Sequence, residues 1–202
     1  MPVKINDIHP EIYGLVLCGG NSSRMGTDKS MLSYYEKPQR YHVYEMLQPF
    51  CEKVFISCNQ TQVNSIEKGY TILTDDPAFQ NIGPMAALLT AFTQFPGKNI
   101  LLIGCDYPFL TAAELSDFLS SSKTAKRSAA FYNQQQAIYE PLLALYSYPS
   151  FDVLKKMYEA NQYSLQHFLS EGQALKYYPA HKNSFTSIDT REDYIKAVNQ
   201  LK

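Results

Sequence analysis

The sequence predicts an α/β protein built as a single doubly wound, mostly parallel sheet flanked by helices, in one domain spanning residues 1–202. Three observations carry this. Short apolar runs of strand length alternate with segments in which apolar residues recur at helical spacing. The first run, Leu15 to Cys18, breaks directly into Gly19-Gly20, as a strand does when it feeds a ligand loop. Polar or acidic residues then follow each of the next three runs, at Asn59, Asp76 and Asp106, where a parallel sheet gathers its ligand groups.

Taken in order, the chain turns around Lys37-Pro38, after which Tyr41, Tyr44, Leu47 and Phe50 recur at helical spacing. Val54 to Cys58 reads as a second strand and Thr71 to Thr74 as a third, with the polar stretch Gln60 to Lys68 between them. Gly83-Pro84 opens a helix whose inner face is Met85, Leu88, Leu89 and Phe92, the proline sitting where its missing N–H does no harm. Asn99 to Cys105 is the most apolar run and is expected to be the central strand. Thr111 and Glu114 read as a capping box for a helix through Leu119. Ser128 to Tyr132 and Pro141 to Tyr146 are expected strands. Asp152 to Tyr158, with Val153, Leu154 and Met157 inward, Ser164 to Leu169, and Thr190 to Val198 are expected helices.

Composition limits the function. Of 202 residues, 18 are Lys or Arg and 19 Asp or Glu, so the net charge of -1 offers no basic face for nucleic acid. No apolar run reaches the length of about 20 residues that a membrane helix needs, and the N-terminus lacks a secretory core, so a cytoplasmic protein is expected. Cys18, Cys51, Cys58 and Cys105 form no CxxC pair and suit reduced, buried thiols.

The loop after the first strand reads as a phosphate cradle. Adjacent glycines let bare backbone N–H groups approach an anion, and Arg24 and Lys29 bring two cations to it. It is neither a Walker loop, since Thr27 and Asp28 separate Gly26 from Lys29, nor a dinucleotide fingerprint, since Asn21 replaces the second glycine. Residues 14–29, GLVLCGGNSSRMGTDK, instead resemble the signature LxGGxSxRMGxDK of the nucleotidyltransferases that make the molybdenum cofactor dinucleotide, with Leu17, Gly19, Gly20, Ser22, Arg24, Met25, Gly26, Asp28 and Lys29 on it. Further stretches resemble the same family in the same order: TDDPAFQNIGPMAAL its acidic residue and GPLAG turn, LIGCDYPFLT its CDxPFL, YEPLLALY its PLFALY strand, YSLQHFL its SLRRFL helix and FTSIDTREDY its FxNINTPEDL. Cys18 and Ala87 replace a usual Ala and Gly, Ser187 and Asp189 two Asn, and Gln166-His167 two Arg.

The resemblance implies a nucleotide-diphospho-sugar transferase type of fold and a Mg²⁺-dependent transfer of GMP from GTP to the terminal phosphate of molybdopterin. Its partners would be GTP, molybdopterin or molybdenum cofactor, and, in passing, the proteins that deliver and accept the cofactor. Nucleic acid and membrane are not expected. Catalysis is assigned to Arg24, Lys29 and Asp106, with Lys29 and Arg24 neutralising the triphosphate and the departing pyrophosphate. The backbone of Leu17, Cys18, Gly19 and Gly20, with Asn59 and Asp76, would surround guanine and ribose, and Asp76 or another acceptor would select the base. Asp75 is read as a solvated neighbour of Asp76, and Asn59 alternatively as a strand-end turn former. Mg²⁺ is assigned to Asp106 and Asp189, the alternatives being a turn cap for Asp106 and a helix cap for Asp189. His167, where relatives carry a basic residue, is a candidate for the acceptor phosphate. Two other functions stay open: transfer from CTP or another nucleotide to a different phosphorylated acceptor, and nucleotide binding without turnover, against which Arg24, Lys29 and Asp106 argue together.

Overall fold

The structure, a computed structural model, describes residues 9–18, 28–122 and 127–201. Gly19, Gly20 and Arg24 lie outside them. Among the described residues seven strands form one sheet: β1 (His9–Leu17), β2 (Cys51–Cys58), β3 (Ile72–Thr74), β4 (Asn99–Gly104), β5 (Ala129–Asn133), β6 (Ile138–Tyr146) and β7 (Leu175–Tyr177). Their order is β3-β2-β1-β4-β6-β5-β7, so the apolar β4 is the middle strand, as its composition predicts. Pairing is parallel throughout except that β6 runs against both β4 and β5, which gives the expected mostly parallel α/β sheet.

Alternation along β1 explains the two layers. Ile12, Val16 and Cys18 point to one face, where α1 (Gln39–Leu47) buries Tyr41, Tyr44 and Leu47 and α3 (Ala112–Ser122) buries Leu115 and Phe118. Tyr13, Leu15 and Leu17 point to the other, covered by Met85, Leu88, Leu89 and Phe92 of α2 (Pro84–Gln94), Leu154 of α4 (Ser150–Glu159) and Phe168 of α5 (Leu165–Glu171). A third cluster holds α6 (Arg191–Leu201) through Ala197 against Tyr34 and Ile188.

Several boundaries differ from the sequence reading. β1 and β2 start earlier, at His9 and Cys51, because pairing with neighbours extends polar residues such as Glu52 and Lys53 that periodicity alone leaves out. β6 runs through Pro141, which has no ladder N–H to give, at a point where the β5–β6 register breaks. The short β7 carries no periodic signal of its own. Val153, expected inward, is 50% exposed, since α4 turns only Leu154 of that pair into the core.

Candidate active site

Four parallel strands bring their carboxyl ends to one edge, and the site is built there. Ladder bonds continue one residue past the strands: the Cys18 N–H donates to Ser57 O (3.1 Å) and the Cys105 N–H to Leu17 O (3.2 Å). Leu17 and Cys18 are both buried, and the thiols of Cys18 and Cys105 lie side by side 3.5 Å apart. All four cysteines are buried and unbridged, as expected.

Asp106 follows directly. Its carbonyl accepts the Ile188 N–H (2.9 Å), which pins the segment before α6 to the end of β4. Its carboxyl Oδ1 is shut from solvent and has no hydrogen-bond donor. This oxygen folds back over Gly104, where an added Cβ would sit 2.5 Å from it, so glycine is required for the carboxylate to lie there. Burial raises the Asp106 pKa to about 6, with Lys29 acting against the rise and Asp189 adding to it. A buried acceptor left without a donor is the signature of a partner the chain itself does not supply.

Lys29 opens a short 3₁₀ turn, Lys29–Met31, capped by Asp28, whose Oδ1 accepts from the Ser30 N–H (2.9 Å) and hydroxyl (2.8 Å). The other Asp28 oxygen accepts from Gln62 Nε2 (2.8 Å), which also reaches Cys18 O at 3.5 Å. Asp28 is thus a clamp between the end of the glycine-rich stretch and the β2–β3 connection. From this turn Lys29 Nζ reaches Asp189 Oδ1 at 2.6 Å, and Asp189 also accepts from the Ser187 hydroxyl (3.3 Å). Asp189 is not the cap of α6. Thr190 and Asp193 cap that helix reciprocally, Thr190 Oγ1 accepting the Asp193 N–H at 3.2 Å and Asp193 Oδ2 accepting the Thr190 N–H at 3.1 Å.

The nucleoside end of the edge is made of turns. Asn59 Oδ1 accepts from the Thr61 N–H and hydroxyl and the Gln62 N–H (2.6 to 3.1 Å), the turn-forming reading of this residue. Asp76 Oδ1 accepts the Ala78 N–H (2.8 Å), capping a 3₁₀ turn at Pro77–Phe79, while its own N–H donates to Thr90 Oγ1 (2.9 Å). Asp75 differs from expectation. It is half-buried rather than solvated, its Oδ1 has no donor, and burial raises its pKa.

Sequence reasoning missed Glu140 and Gln62. Glu140 on β6 is half-buried, receives the Tyr107 hydroxyl at 3.4 Å, and has its pKa raised by burial, with the negative charge of Asp106 adding to the rise. A lone Glu inside an apolar strand run was the available signal. Gln62 gave none, since it lies in an unpatterned polar stretch. Glu114 does not close a capping box either. The Thr111 hydroxyl accepts its N–H (3.2 Å), but its buried carboxylate accepts from the His181 N–H (3.3 Å) and the Ser184 hydroxyl, anchoring the segment that leads to Asp189. His167 is not brought to Asp106. It lines a cavity of about 450 Å³ with Ser128, Ser147 and Ala174, residues at the amino ends of the parallel strands.

The donor set suits a hard divalent cation. Asp106 presents a buried oxygen without a donor, and Asp189 and Glu140 add negative charge around it. Among the described residues no three His, Cys, Asp or Glu converge on one point, so the protein offers a cation one or two carboxylates, as Mg²⁺ bound to phosphates prefers.

Comparison with known proteins places this arrangement. The chain is 28% identical over 185 residues to a molybdenum cofactor biosynthesis bifunctional protein of Synechocystis, matching 91% of this chain and 52% of that one, so it spans about half the length of that relative. It is 29% identical over 192 residues to the molybdenum cofactor guanylyltransferase of Serratia proteamaculans, covering 94% and 95% of the two chains. The crystal structure of molybdopterin-guanine dinucleotide biosynthesis protein A from Archaeoglobus fulgidus superposes with a TM-score of 0.74 at 20% identity, over 93% of this chain and 97% of that one, and shares its nucleotide-diphospho-sugar transferase type of fold. A family model, the MobA-like NTP transferase domain, matches residues 14–176, and this chain belongs to that family.

Proposed function

We propose that this chain transfers GMP from GTP to the terminal phosphate of molybdopterin, releasing pyrophosphate. The observation that carries the reading is the buried, donor-less carboxylate of Asp106 beside the Lys29–Asp189 pair, at the end of the central strand of a MobA-like NTP transferase domain. An oxygen of the acceptor phosphate attacks the α-phosphorus of GTP, and the bond from that phosphorus to the bridging oxygen of the β-phosphate breaks. A phosphate monoester has a second pKa near 6, so the nucleophile is already ionised at neutral pH and no general base is needed. The residues at the edge accordingly include no histidine.

What the chain supplies is position and charge. Lys29 and Arg24 balance the triphosphate and the leaving pyrophosphate, and the backbone of Leu17, Cys18, Gly19 and Gly20 lies along the nucleotide. The turns at Asn59 and Asp76 bound the nucleoside. Asp106 and Asp189 would hold Mg²⁺, which supplies charge neutralisation at the phosphates when bound. Four buried thiols suit a reducing, cytoplasmic setting, and hand-over of the cofactor implies transient contact with delivery and acceptor proteins. The test is to incubate the protein with Mg²⁺, molybdopterin and each ribonucleoside triphosphate in turn and follow pyrophosphate. Release with GTP is expected; release with CTP instead, or with none, refutes the reading.

A further inference from the structure

Two adjacent carboxylates end β3, and the structure gives them different work. Asp76 is committed to local structure: its Oδ1 holds the Ala78 N–H, its N–H is held by Thr90, and its carbonyl accepts the Phe79 N–H at 2.8 Å. Replacing it would loosen the turn. Asp75 makes no such bond at Oδ1, which is closed to solvent without a donor. Burial alone drives its pKa up, with no cation acting in opposition as Lys29 does at Asp106. An acceptor shut from water and left without a donor costs free energy in the isolated protein, and a ligand that brings donors recovers it.

The sheet fixes where that ligand group would lie. β3 is the outermost strand and β4 lies three strand spacings away, about 14 Å at the usual strand separation. Asp75 and Asp106 therefore mark opposite ends of one edge, and each carries a buried oxygen without a donor. A nucleotide laid along this edge with its phosphates at Asp106 brings its base toward Asp75. Guanine alone among the common bases offers two neighbouring donors, N1–H and N2–H₂, and a carboxylate has two oxygens to accept them. The torsion about Cβ–Cγ is soft for a carboxylate, so both oxygens can turn to the base. Adenine and cytosine each set a ring-nitrogen lone pair against one of the oxygens.

Given the guanylyl transfer proposed above, we infer that Asp75 is the carboxylate that reads the Watson–Crick edge of guanine, and that Asp76 shapes the turn behind it.

The test is calorimetric binding of GTP, ITP, XTP and CTP with Mg²⁺ to the full chain and to Asp75→Asn and Asp76→Asn. Hypoxanthine lacks the 2-amino donor, so the wild type should bind ITP about tenfold or more weaker than GTP. Xanthine carries a carbonyl at C2, which a carboxylate repels and an amide N–H₂ satisfies. Asp75→Asn should therefore gain XTP affinity while losing GTP affinity, shifting the GTP-to-XTP ratio by about a hundredfold or more. Asp76→Asn should keep the wild-type ratio. A gain in XTP binding is not something a merely structural aspartate could produce on substitution. The assignment is overturned if Asp75→Asn keeps the wild-type ratio, or if Asp76→Asn inverts it. Equal affinity of the wild type for GTP and ITP overturns it even if no variant folds. A wild type that prefers CTP refutes guanylyl transfer and Asp75 together, whereas a GTP preference that persists in Asp75→Asn refutes Asp75 alone.

Discussion

The two halves of the sheet use the same layers for different ends. β1 to β4 are parallel, and the residues after them supply Cys18, Asn59, the Asp75-Asp76 pair and Asp106 to a single edge. β6, β5 and β7 carry one reversed strand, pack aromatic pairs such as Phe131 with Tyr177 and Tyr132 with Tyr139, and give the site only Glu140 and the returning segment at Asp189. Parallel strands align their carboxyl ends, so each added crossover places another loop at the same edge. An antiparallel strand sends its following loop to the opposite edge, where the cavity lined by His167 lies. Function should therefore be sensitive in the first half and stability in both.

The largest expected effect is at Asp106. Asp106→Asn should cut turnover at least about a hundredfold, as loss of a charge at a phosphoryl-transfer centre does, while the melting temperature holds or rises. The rise follows from the sign of the pKa change: a carboxyl raised to about 6 by burial costs the folded protein stability once pH exceeds its unfolded value, and a neutral amide removes that cost. Steady-state kinetics and a melting curve at pH 8 check both parts. A large fall in melting temperature with unchanged turnover would make Asp106 a structural residue.

A matched pair of glycines sharpens the contrast. In Gly104→Ala the new Cβ would lie 2.5 Å from Asp106 Oδ1, so the carboxylate must move. In Gly14→Ala it would meet Cys51 Sγ at 3.1 Å, Leu47 Cδ1 at 3.2 Å and Val54 Cγ2 at 3.3 Å, all core atoms. Both should lose about 1–3 kcal/mol to overpacking. Only Gly104→Ala should also lose turnover per folded molecule, about tenfold or more, as a catalytic group displaced by about an ångström does. Equal turnover in the two variants would mean that the position of Asp106 does not matter.

These residues also show how far the sequence could be read. The strands were legible as apolar runs, the central place of β4 from its composition, and Asp106 and Lys29 from their motifs. Asp189 was legible as a site residue but not in its bond: the ion pair with Lys29 joins residues 160 positions apart, and no local pattern encodes it. Asp75 and Asp76 are chemically identical in sequence. Their difference arises only when the Pro77–Phe79 turn claims one carboxylate, a choice made by backbone direction. Glu114 fits a capping box by spacing, yet tertiary donors from residues 181–184 outcompete the local one.

That anchor gives the next effect. Glu114→Gln keeps one acceptor but turns an amide N–H₂ toward a donor in a buried place, and should cost about 1–3 kcal/mol in denaturant unfolding. Because the anchored segment leads to Asp189, the variant should also weaken GTP binding when assayed with Mg²⁺, where a substitution confined to the far half, such as Val153→Ala, should not.

The smallest expected effect lies away from the edge, in the layer beneath it. His42 of α1 stacks on Tyr35, ring centroids 4.1 Å apart, and the Tyr35 hydroxyl donates to Pro108 O (2.8 Å) in the turn after Asp106. Burial lowers the His42 pKa below its usual 6.5, with Lys37 adding to the fall and Glu45 opposing it. The folded protein therefore holds the neutral ring, and the unfolded chain takes up the proton first as pH drops. Stability is present in full above about 6.5 and is lost as pH falls through the lower, folded value. His42→Phe keeps a stacked ring and removes the titration. Relative to this variant, the wild type should lose melting temperature between pH 7 and pH 5, by about 3 °C at most for a chain of this size. Turnover at pH 8 should be equal in the two, because there the wild-type ring is neutral and stacked as the phenyl ring is. A variant with the same pH dependence as the wild type would assign it to other groups, and a variant with altered turnover at pH 8 would extend the functional half of the molecule through Tyr35 and Pro108 into α1.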